Sequence, residues 1–464
     1  MEKKFGTDMT VGSIPRHLLR FSIPMLVGNL IQIGYSIVNT IWVGHLVGED
    51  AVGAVGVSFP VFFTLIGLAM GISMASTILI SQYYGAKHYK MVEKAVDNSF
   101  ALALIIGCVL TVAAILSSDF LLKMMDTPQE NFAMASSYLK ITLAGFILFY
   151  LGLLINSILR GIGDTVTPLM FMSVGIGINA VLDPFLIGGF GPFVSHGLNG
   201  AAYATLISQA IAVGISILYL NRKGHFVAFN LRRLALDKHI TALLFRIGLP
   251  SIVQQSLISI SSMFVSTFVN SFGSAATNAF GAVVRVDMFA FMPAMSMSMA
   301  VAALTGQNLG AHRPQRVKDI FRWGVVMTSC ITVLISVTVV LLSRIILIMF
   351  GLGDDAKVMG IGISYLHIVG SCYIFFGIMF ISNGVINGAG HTIITMTFSL
   401  LSLWLVRVPL SWYLSKTSLG IRGIWAAVAL SFLVTMAVSL TYYLSGRWKK
   451  SVIIKAPAPV QYVE

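Results

Sequence analysis

The sequence is poor in charge and in cysteine. Only 10% of its 464 residues are charged, whereas a soluble domain carries about a quarter. Hydrophobic residues make up 57% of the chain, which excludes a soluble globular protein. The three cysteines, Cys108, Cys330 and Cys372, lie in apolar stretches without metal-ligand spacing or plausible pairing. They are expected to be small apolar packing residues.

Acidic residues are scarcer than basic ones. The chain has 17 Asp and Glu against 30 Lys and Arg, a formal net charge of +13. This excess of basic residues does not indicate a nucleic-acid partner. The basic residues cluster in alternate loops between apolar runs, and the expected environment of the apolar runs is a lipid bilayer. The basic segments are 3–20, 87–94, 222–246, 313–322 and 447–450. By the positive-inside rule, both termini and the central linker are expected in the cytoplasm, with the chain in the plasma membrane.

Long apolar runs are abundant. About 20 apolar residues cross a bilayer core of about 30 Å, and twelve runs reach that length. They cover 21–46, 52–82, 97–117, 134–159, 167–190, 198–220, 243–271, 280–308, 321–343, 361–386, 394–415 and 421–445. The first run is too long for a cleavable signal peptide and is expected to be retained. The predicted fold is an all-α polytopic membrane protein with twelve transmembrane helices.

The two halves of the chain repeat each other about 225 residues apart. The matched segments are Leu19–Pro24 with Phe245–Pro250, Ile80–Lys87 with Thr305–His312, Arg160–Thr165 with Asn387–Thr392, and Gly197–Ala202 with Gly420–Trp425. Because each half has an even number of spans, the repeat is expected to be parallel, with two pseudo-symmetric six-helix lobes. The expected divisions are lobe 1–220, cytoplasmic linker 221–240, lobe 241–446 and cytoplasmic tail 447–464.

Ionisable residues inside spans are few, and each is a functional candidate because burying it costs about 2.5 to 3.5 kcal/mol at the bilayer centre. They are Asp183, Arg285, Asp287 and Arg407, with His367 as a neutral candidate. Asp183 stands out: Asn179 lies four residues earlier on the same helix face, and Pro184 leaves a backbone carbonyl without its donor. This cluster suits a proton or a small cation. A structural carboxylate bonded to a neighbouring helix end is the alternative.

Two further groups suggest a substrate cavity. The first span carries polar residues at helical spacing: Asn29, Gln32, Tyr35, Ser36 and Asn39. They either face a cavity or bond to other helices. Arg285 and Asp287 are two residues apart and therefore point to different faces. Met292 belongs to a Met- and Phe-rich stretch that suits either a promiscuous apolar site or lipid-facing packing.

These motifs resemble the multidrug and toxic compound extrusion family, whose superfamily also contains lipid-linked oligosaccharide flippases. The resemblance covers about 20–446 and is most specific at Asn179–Pro184, Gly200–Ala202, Gly161–Thr165 and Gly306–Ala311. It implies a monomeric twelve-helix antiporter that exports organic cations or amphipathic drugs in exchange for protons or sodium, without a cofactor. The chain looks like the DinF-type branch, whose cation site lies in the amino-terminal lobe.

Within that branch, Asn179 and Asp183 match the cation site, and Thr205 lies near a hydroxyl of the same site. One departure is that Asn39 occupies the first span where the branch usually has an Asp, so Asp183 is the only acid. The acid expected in the seventh span of NorM-type relatives is absent between Gln254 and Met263.

The leading hypothesis is proton-coupled drug export with Asp183 as the carrier. Sodium bound at Asp183 and Asn179 is the second hypothesis, since amides and carbonyls can complete an oxygen shell. Lipid or lipid-linked saccharide flipping is the alternative from another class, and it would use the cationic Arg285 and Arg407. A membrane enzyme and a channel are disfavoured, because no nucleophile cluster, metal-ligand spacing or repeated filter segment occurs in the spans.

Overall fold

In a computed structural model, the chain folds into long helices joined by short connections. The structure describes residues 6–190, 194–222, 227–229, 234–353, 355–450 and 452–453. The helices of the first half are α1 (Ile14–Leu46), α2 (Glu49–Gly85), α3 (Tyr89–Met124), α4 (Gln129–Ala144), α5 (Phe146–Gly161), α6 (Val166–Gly188) and α7 (Leu198–Arg222). Within the described ranges, no β-strand is present.

The second half repeats this pattern with more interruptions. Its helices are α8 (Lys238–Asn270), α9 (Ser274–Gly310), α10 (Pro314–Leu341), α11 (Ser343–Met349), α12 (Ala356–Ile368), α13 (Tyr373–Gly388), α14 (Thr392–Ser399), α15 (Val408–Ser415) and α16 (Ile421–Leu444). A π-helical segment, Leu400–Arg407, connects α14 to α15. The side chain of Asp237 caps α8, and its hydrogen bonds from the backbone N–H groups of Ile240 and His239 lower the pKa of Asp237.

The described residues confirm the predicted membrane helices. Eleven helical stretches are long and apolar enough to cross a bilayer, and the bent pair α4 and α5 completes twelve. Several helices begin earlier than the apolar runs: α1 starts at Ile14, not near residue 21. The extension carries Arg16, His17 and Arg20, which end an apolar run but are compatible with a helix in the polar headgroup region.

The fourth span of each half is broken at a matched glycine. Gly145 interrupts α4 and α5, whose axes differ by 43°. In the second half, Gly370 begins a three-residue 3-10 turn between α12 and α13. Glycine is a poor residue for a helix interior, so matched glycines explain why both spans break at the same place.

The chain divides into two compact units. Unit 1 comprises Met1–Thr7 and Pro24–Gly248, and unit 2 comprises Asp8–Ile23 and Leu249–Glu464. Each division in a helix falls beside one of the matched prolines, Pro24 in α1 and Pro250 in α8. The expected linker and tail lie partly outside the described residues, at 223–226, 230–233, 451 and 454–464.

The repeated glycine motifs have two separate structural tasks. Gly161 and Gly388 lie where helices approach closely: a Cβ on Gly388 would be 2.4 Å from the carbonyl oxygen of Ala302. Gly163 and Gly390 instead end a helix with positive φ angles of 84° and 90°.

The cysteine prediction was only partly right. Cys372 is half-buried, but Cys108 and Cys330 are exposed on the surface of their helices. On a membrane helix, this outer surface contacts lipid, where a thiol behaves as a small apolar group without packing against the protein.

Candidate functional site

Asp183 is the centre of a polar cluster inside unit 1. It lies on α6, is fully buried, and follows Asn179 by one helical turn. The Asn179 Nδ2 group donates to Asp183 Oδ1 at 3.0 Å. The helix continues through Pro184 to Gly188, so the proline lies next to the carboxylate. The i, i+4 pair expected from the sequence is therefore present in the structure.

Helix α1 supplies the other contacts to this carboxylate. Asn39 Nδ2 donates to Asp183 Oδ2 at 2.8 Å, and the Tyr35 hydroxyl lies 3.5 Å from the same oxygen. Tyr35 also donates to the side-chain oxygen of Asn179. From α7, the Thr205 side chain lies close enough to interact with Tyr35, while its hydroxyl donates to the Ala201 carbonyl at 2.9 Å. The structure thus brings together all four residues expected to bind the coupling cation.

The Asp183 cluster lacks a basic partner. Its contacts in the described part of unit 1 are amide and hydroxyl groups, and the ion pair of Asp119 with Lys140, at 2.6 Å, lies on other helices, α3 and α4. A buried carboxylate without a counter-charge is costly in a low-dielectric environment. The absence of a counter-charge among these contacts therefore makes Asp183 suited to take up an exchangeable cation.

The side chains around Asp183 act as hydrogen-bond donors to it. Two amide N–H groups and a phenol point toward the carboxylate oxygens. A hard cation such as sodium needs oxygen lone pairs directed at it, and the side-chain oxygens of the two amides and the phenol are the other oxygens of this cluster. Across the described ranges, no group of three or more His, Cys, Asp and Glu residues could hold a metal ion.

The other polar residues of the first span lie outside this cluster. Asn29 and Gln32 are exposed on α1. Half-buried Tyr35 and Asn39 alone of the predicted stripe contact Asp183. The polar stripe of α1 therefore divides into a half-buried part that contacts the carboxylate and an exposed part.

The remaining candidates lie in unit 2. Arg285 is exposed on α9, Met292 is half-buried on the same helix, and Asp287 is 8% exposed. Asp287 accepts hydrogen bonds from Tyr365 and from Tyr373, the latter at 2.5 Å. Arg285 is thus on the exposed face of α9 and Asp287 on its buried face, as the spacing of two residues predicts.

Neither tyrosine was predicted from the sequence. The 3-10 turn at Gly370 places Tyr365 on α12 and Tyr373 on α13, so helical periodicity does not relate them to each other or to Asp287. His367 takes no part in this cluster, since its Nε2 atom lies 3.3 Å from the Ser343 hydroxyl.

Comparisons with known proteins agree with the repeat and the helix count. The MatE family profile matches residues 24–185 and 250–413. The chain is 30% identical over 442 residues to the "Probable multidrug resistance protein YpnP" of Bacillus subtilis (strain 168), covering 95% of this chain and 97% of that one. It is 32% identical over 447 residues to the "Probable multidrug resistance protein YoeA" of the same strain, covering 96% of both.

Solved structures give the same result. One described as an "Outward-facing conformation of a multidrug resistance MATE family transporter of the MOP superfamily" superposes with a TM-score of 0.88 at 25% identity. The match covers 96% of this chain and 98% of the chain in that structure. A second is described as "Reverse polarity of binding pocket suggests different function of a MOP superfamily transporter from Pyrococcus furiosus Vc1 (DSM3638)". It matches with a TM-score of 0.89, also at 25% identity. The match covers 96% of this chain and 98% of that one.

Proposed function

Because the chain belongs to the MatE family, we propose that it is a multidrug exporter that moves organic cations out of the cell in exchange for protons. The observation that carries the coupling step is the fully buried Asp183, which is bonded to neutral donors and has no basic partner in its cluster. The names of the relatives supply the substrate class, since YpnP and YoeA are both named for multidrug resistance.

Asp183 can exist in two forms within this cluster. As an anion it accepts from Asn39, Asn179 and Tyr35. After it binds a proton, its new O–H group donates to one of the surrounding side-chain oxygens, and no charge remains buried. Loading the proton from one side of the membrane and releasing it to the other then couples the proton gradient to substrate export.

One proton supplies the energy for export of one drug molecule. One pH unit corresponds to about 1.4 kcal/mol, which supports a gradient of about tenfold. Exchange of one proton for one monovalent organic cation moves no net charge, so the membrane potential adds nothing to this gradient. In unit 1, the exposed residues Asn29 and Gln32 of α1 are our candidates for contact with the substrate. In unit 2, considered by itself, the candidates are Arg285 and Met292 of α9.

We place the protein in the plasma membrane as a monomer, with both termini in the cytoplasm. The basic loops support this orientation through the positive-inside rule. YpnP and YoeA are named for multidrug resistance, and those names give no support to the lipid-flippase alternative.

Ethidium uptake into inside-out vesicles tests the proposal. A proton gradient should drive uptake by the wild-type protein, and Asp183→Asn should abolish it at equal expression, because an amide cannot carry a proton. Asp119→Asn is the matched control, since that acid pairs with Lys140 away from the cluster and should leave uptake intact.

Three results would count against this proposal. Uptake driven by a sodium gradient alone would transfer the coupling role to sodium. Proton-driven uptake that persists in Asp183→Asn would exclude this residue as the carrier. No ethidium movement under either gradient would reject export of this class of cation.

A further inference from the structure

A second buried carboxylate lies within unit 2. Asp287 is near the middle of α9 and is 8% exposed. Both of its carboxylate oxygens accept a hydrogen bond: the Tyr365 hydroxyl donates to Oδ2 and the Tyr373 hydroxyl donates to Oδ1. The tyrosines come from α12 and α13 and are themselves buried, at 3% and 0% exposure. Three helices therefore hold one acid through two phenols.

Arg407 provides a nearby positive charge without forming a direct ion pair. It interacts electrostatically with Asp287 and Tyr365, but in the described part of the chain no ion pair shorter than 4.0 Å includes it. Its Nε group donates to the Ser431 hydroxyl at 2.8 Å, and its guanidinium lies 5.1 Å from the centre of the Phe432 ring. Tyr365, Tyr373 and Arg407 are the titratable or charged groups that face Asp287.

This arrangement accommodates two charge states of Asp287. When the carboxylate is ionised, Arg407 balances its charge within the same unit. When the carboxylate is protonated, the guanidinium keeps its own partners, the Ser431 hydroxyl and the Phe432 ring. A permanent ion pair in direct contact would hold the acid in one form, and the structure lacks that contact.

The surroundings leave room for a proton but not for a drug. The Phe291 and Phe376 rings are stacked at 3.7 Å between centroids, and the Tyr365 ring lies 4.8 Å from Trp425. Phe291 also meets Tyr373 edge to face at 5.4 Å. A metal ion would need further oxygen lone pairs, whereas both carboxylate oxygens already accept from hydroxyl groups. A proton needs only a turn of one hydroxyl.

We propose that Asp287 is a second proton-binding site, which takes up and releases one proton in each transport cycle in addition to the proton carried by Asp183. Binding converts the carboxylate to a carboxylic acid, whose O–H donates to one tyrosine oxygen while that tyrosine hydroxyl turns away. Release reverses these movements and returns the proton to water. This proposal rests on the proposed proton-coupled export and sets its stoichiometry.

The substrate gradient at steady state measures this stoichiometry. In proteoliposomes clamped at zero membrane potential, each coupled proton supports about tenfold ethidium accumulation per pH unit, and two protons support about a hundredfold. Wild type should follow the steeper dependence. Asp287→Asn should still export ethidium but with the shallower dependence, and Asp183→Asn should not export at all.

Infrared difference spectroscopy between acidic and neutral pH provides a second, substrate-free test. Asp287→Asn should remove one carboxylic-acid C=O band that Asp183→Asn leaves in place. If Asp287→Asn misfolds, Tyr373→Phe gives the same information, because it should shift this band and its titration without removing it. A purely packing role for Tyr373 would leave the band unchanged.

The two proposals fail in different ways. An unchanged steepness and an unchanged infrared spectrum in Asp287→Asn would overturn the second site while leaving Asp183 as the carrier. Full proton-driven export by Asp183→Asn would instead exclude Asp183 as the carrier, and no ethidium movement by the wild-type protein would reject the proposed function. An Asp287 that remains ionised throughout the pH range would also reject the second site.

Discussion

Asn39 is the residue at which the Asp183 cluster departs from the pattern expected of a DinF-type protein. Its amide donates directly to Asp183 at 2.8 Å, at the position where the expected pattern has a carboxylate. The amide stabilises the ionised acid without adding a second titratable group. The cluster in unit 1 therefore has one proton to exchange.

Replacing Asn39 by Asp should extend proton-driven export to higher pH. Two carboxylates at hydrogen-bonding distance cannot both be ionised without strong repulsion, so one keeps its proton to higher pH. We expect the alkaline limit of ethidium transport in proteoliposomes to rise by about one to two pH units. Asn39→Ala is the control, because it removes the amide without adding an acid and should move the limit much less. Equal limits in both variants would contradict a shared proton.

The sequence was sufficient to predict the contact of Asn179 with Asp183, but not the two tyrosines that bind Asp287. Asn179 and Asp183 are four residues apart, so helical periodicity alone predicts their contact. Tyr365 and Tyr373 reach Asp287 from 78 and 86 residues away, and only tertiary packing brings them there. The polar stripe of α1 was ambiguous for the same reason: Tyr35 and Asn39 meet the acid only because α6 packs on that part of the helix.

At the level of helices, close approach explains why the repeat keeps its glycines. At Gly388, an added Cβ would lie 2.4 Å from a backbone oxygen on α9, which cannot move without shifting the helix. At the matched Gly161 the nearest atom is 3.0 Å away and belongs to the Ile80 side chain. The same motif is therefore tighter in the second half.

Gly388→Ala should consequently destabilise the protein more than Gly161→Ala. Overpacking of this kind lowers the free energy of unfolding by about 1 to 3 kcal/mol. We expect Gly388→Ala at the upper end of this range, because its added methyl group would meet a backbone oxygen. Thermal unfolding in detergent, followed by fluorescence-detected size exclusion, measures the difference. Gly360→Ala is the control, since its added methyl group has nothing within 4 Å and improves helix propensity. A Gly388→Ala protein as stable as this control would refute the close-contact explanation.

Helix number and helix ends were predictable to different degrees. Apolar runs locate the twelve crossings because the bilayer requires them. They do not locate the ends, since α2 continues to Gly85 and α9 to Gly310, beyond the hydrophobic stretch. Nor did they locate the π-helical segment before Pro409, because the loss of a backbone donor there changes helix geometry without changing hydropathy.

In the whole molecule, the repeat preserves the scaffold but not the chemistry. Both halves keep the helix-ending residues with positive φ, Lys87 at 59° and His312 at 55°. The acids are not repeated: about 225 residues after Asp183 the chain has Val408, and Asp287 likewise has no acidic counterpart in the first half. Two similar units with different buried acids suit a transporter whose halves bind protons with different properties.

The segment before α1 belongs to unit 2 and is held there by main-chain contacts. Met9 donates its backbone N–H to Gln307 at 3.0 Å and is only 2% exposed. The Arg313 and Arg316 guanidinium groups donate to the carbonyl oxygens of Thr10 at 2.8 Å and Gly12 at 2.6 Å. Gln307 belongs to the repeated motif that ends α9, and the two arginines follow this motif at the start of α10.

Removing both arginines should release this segment. Together, the two partly exposed charged hydrogen bonds contribute about 1 to 2 kcal/mol, so the open population of an Arg313→Ala/Arg316→Ala variant should rise by a factor of about 5 to 30. Limited digestion with proteinase K and mass spectrometry of cuts near Met9 measures this opening. Arg322→Ala, an exposed charge on the same helix α10, is the matched control. Because we place the amino terminus in the cytoplasm, the cuts should appear in inside-out vesicles and not in right-side-out ones. Cleavage in right-side-out vesicles would reverse the proposed orientation. Equal cleavage of the wild type, the double variant and the Arg322→Ala control would show that the two arginines do not hold the segment.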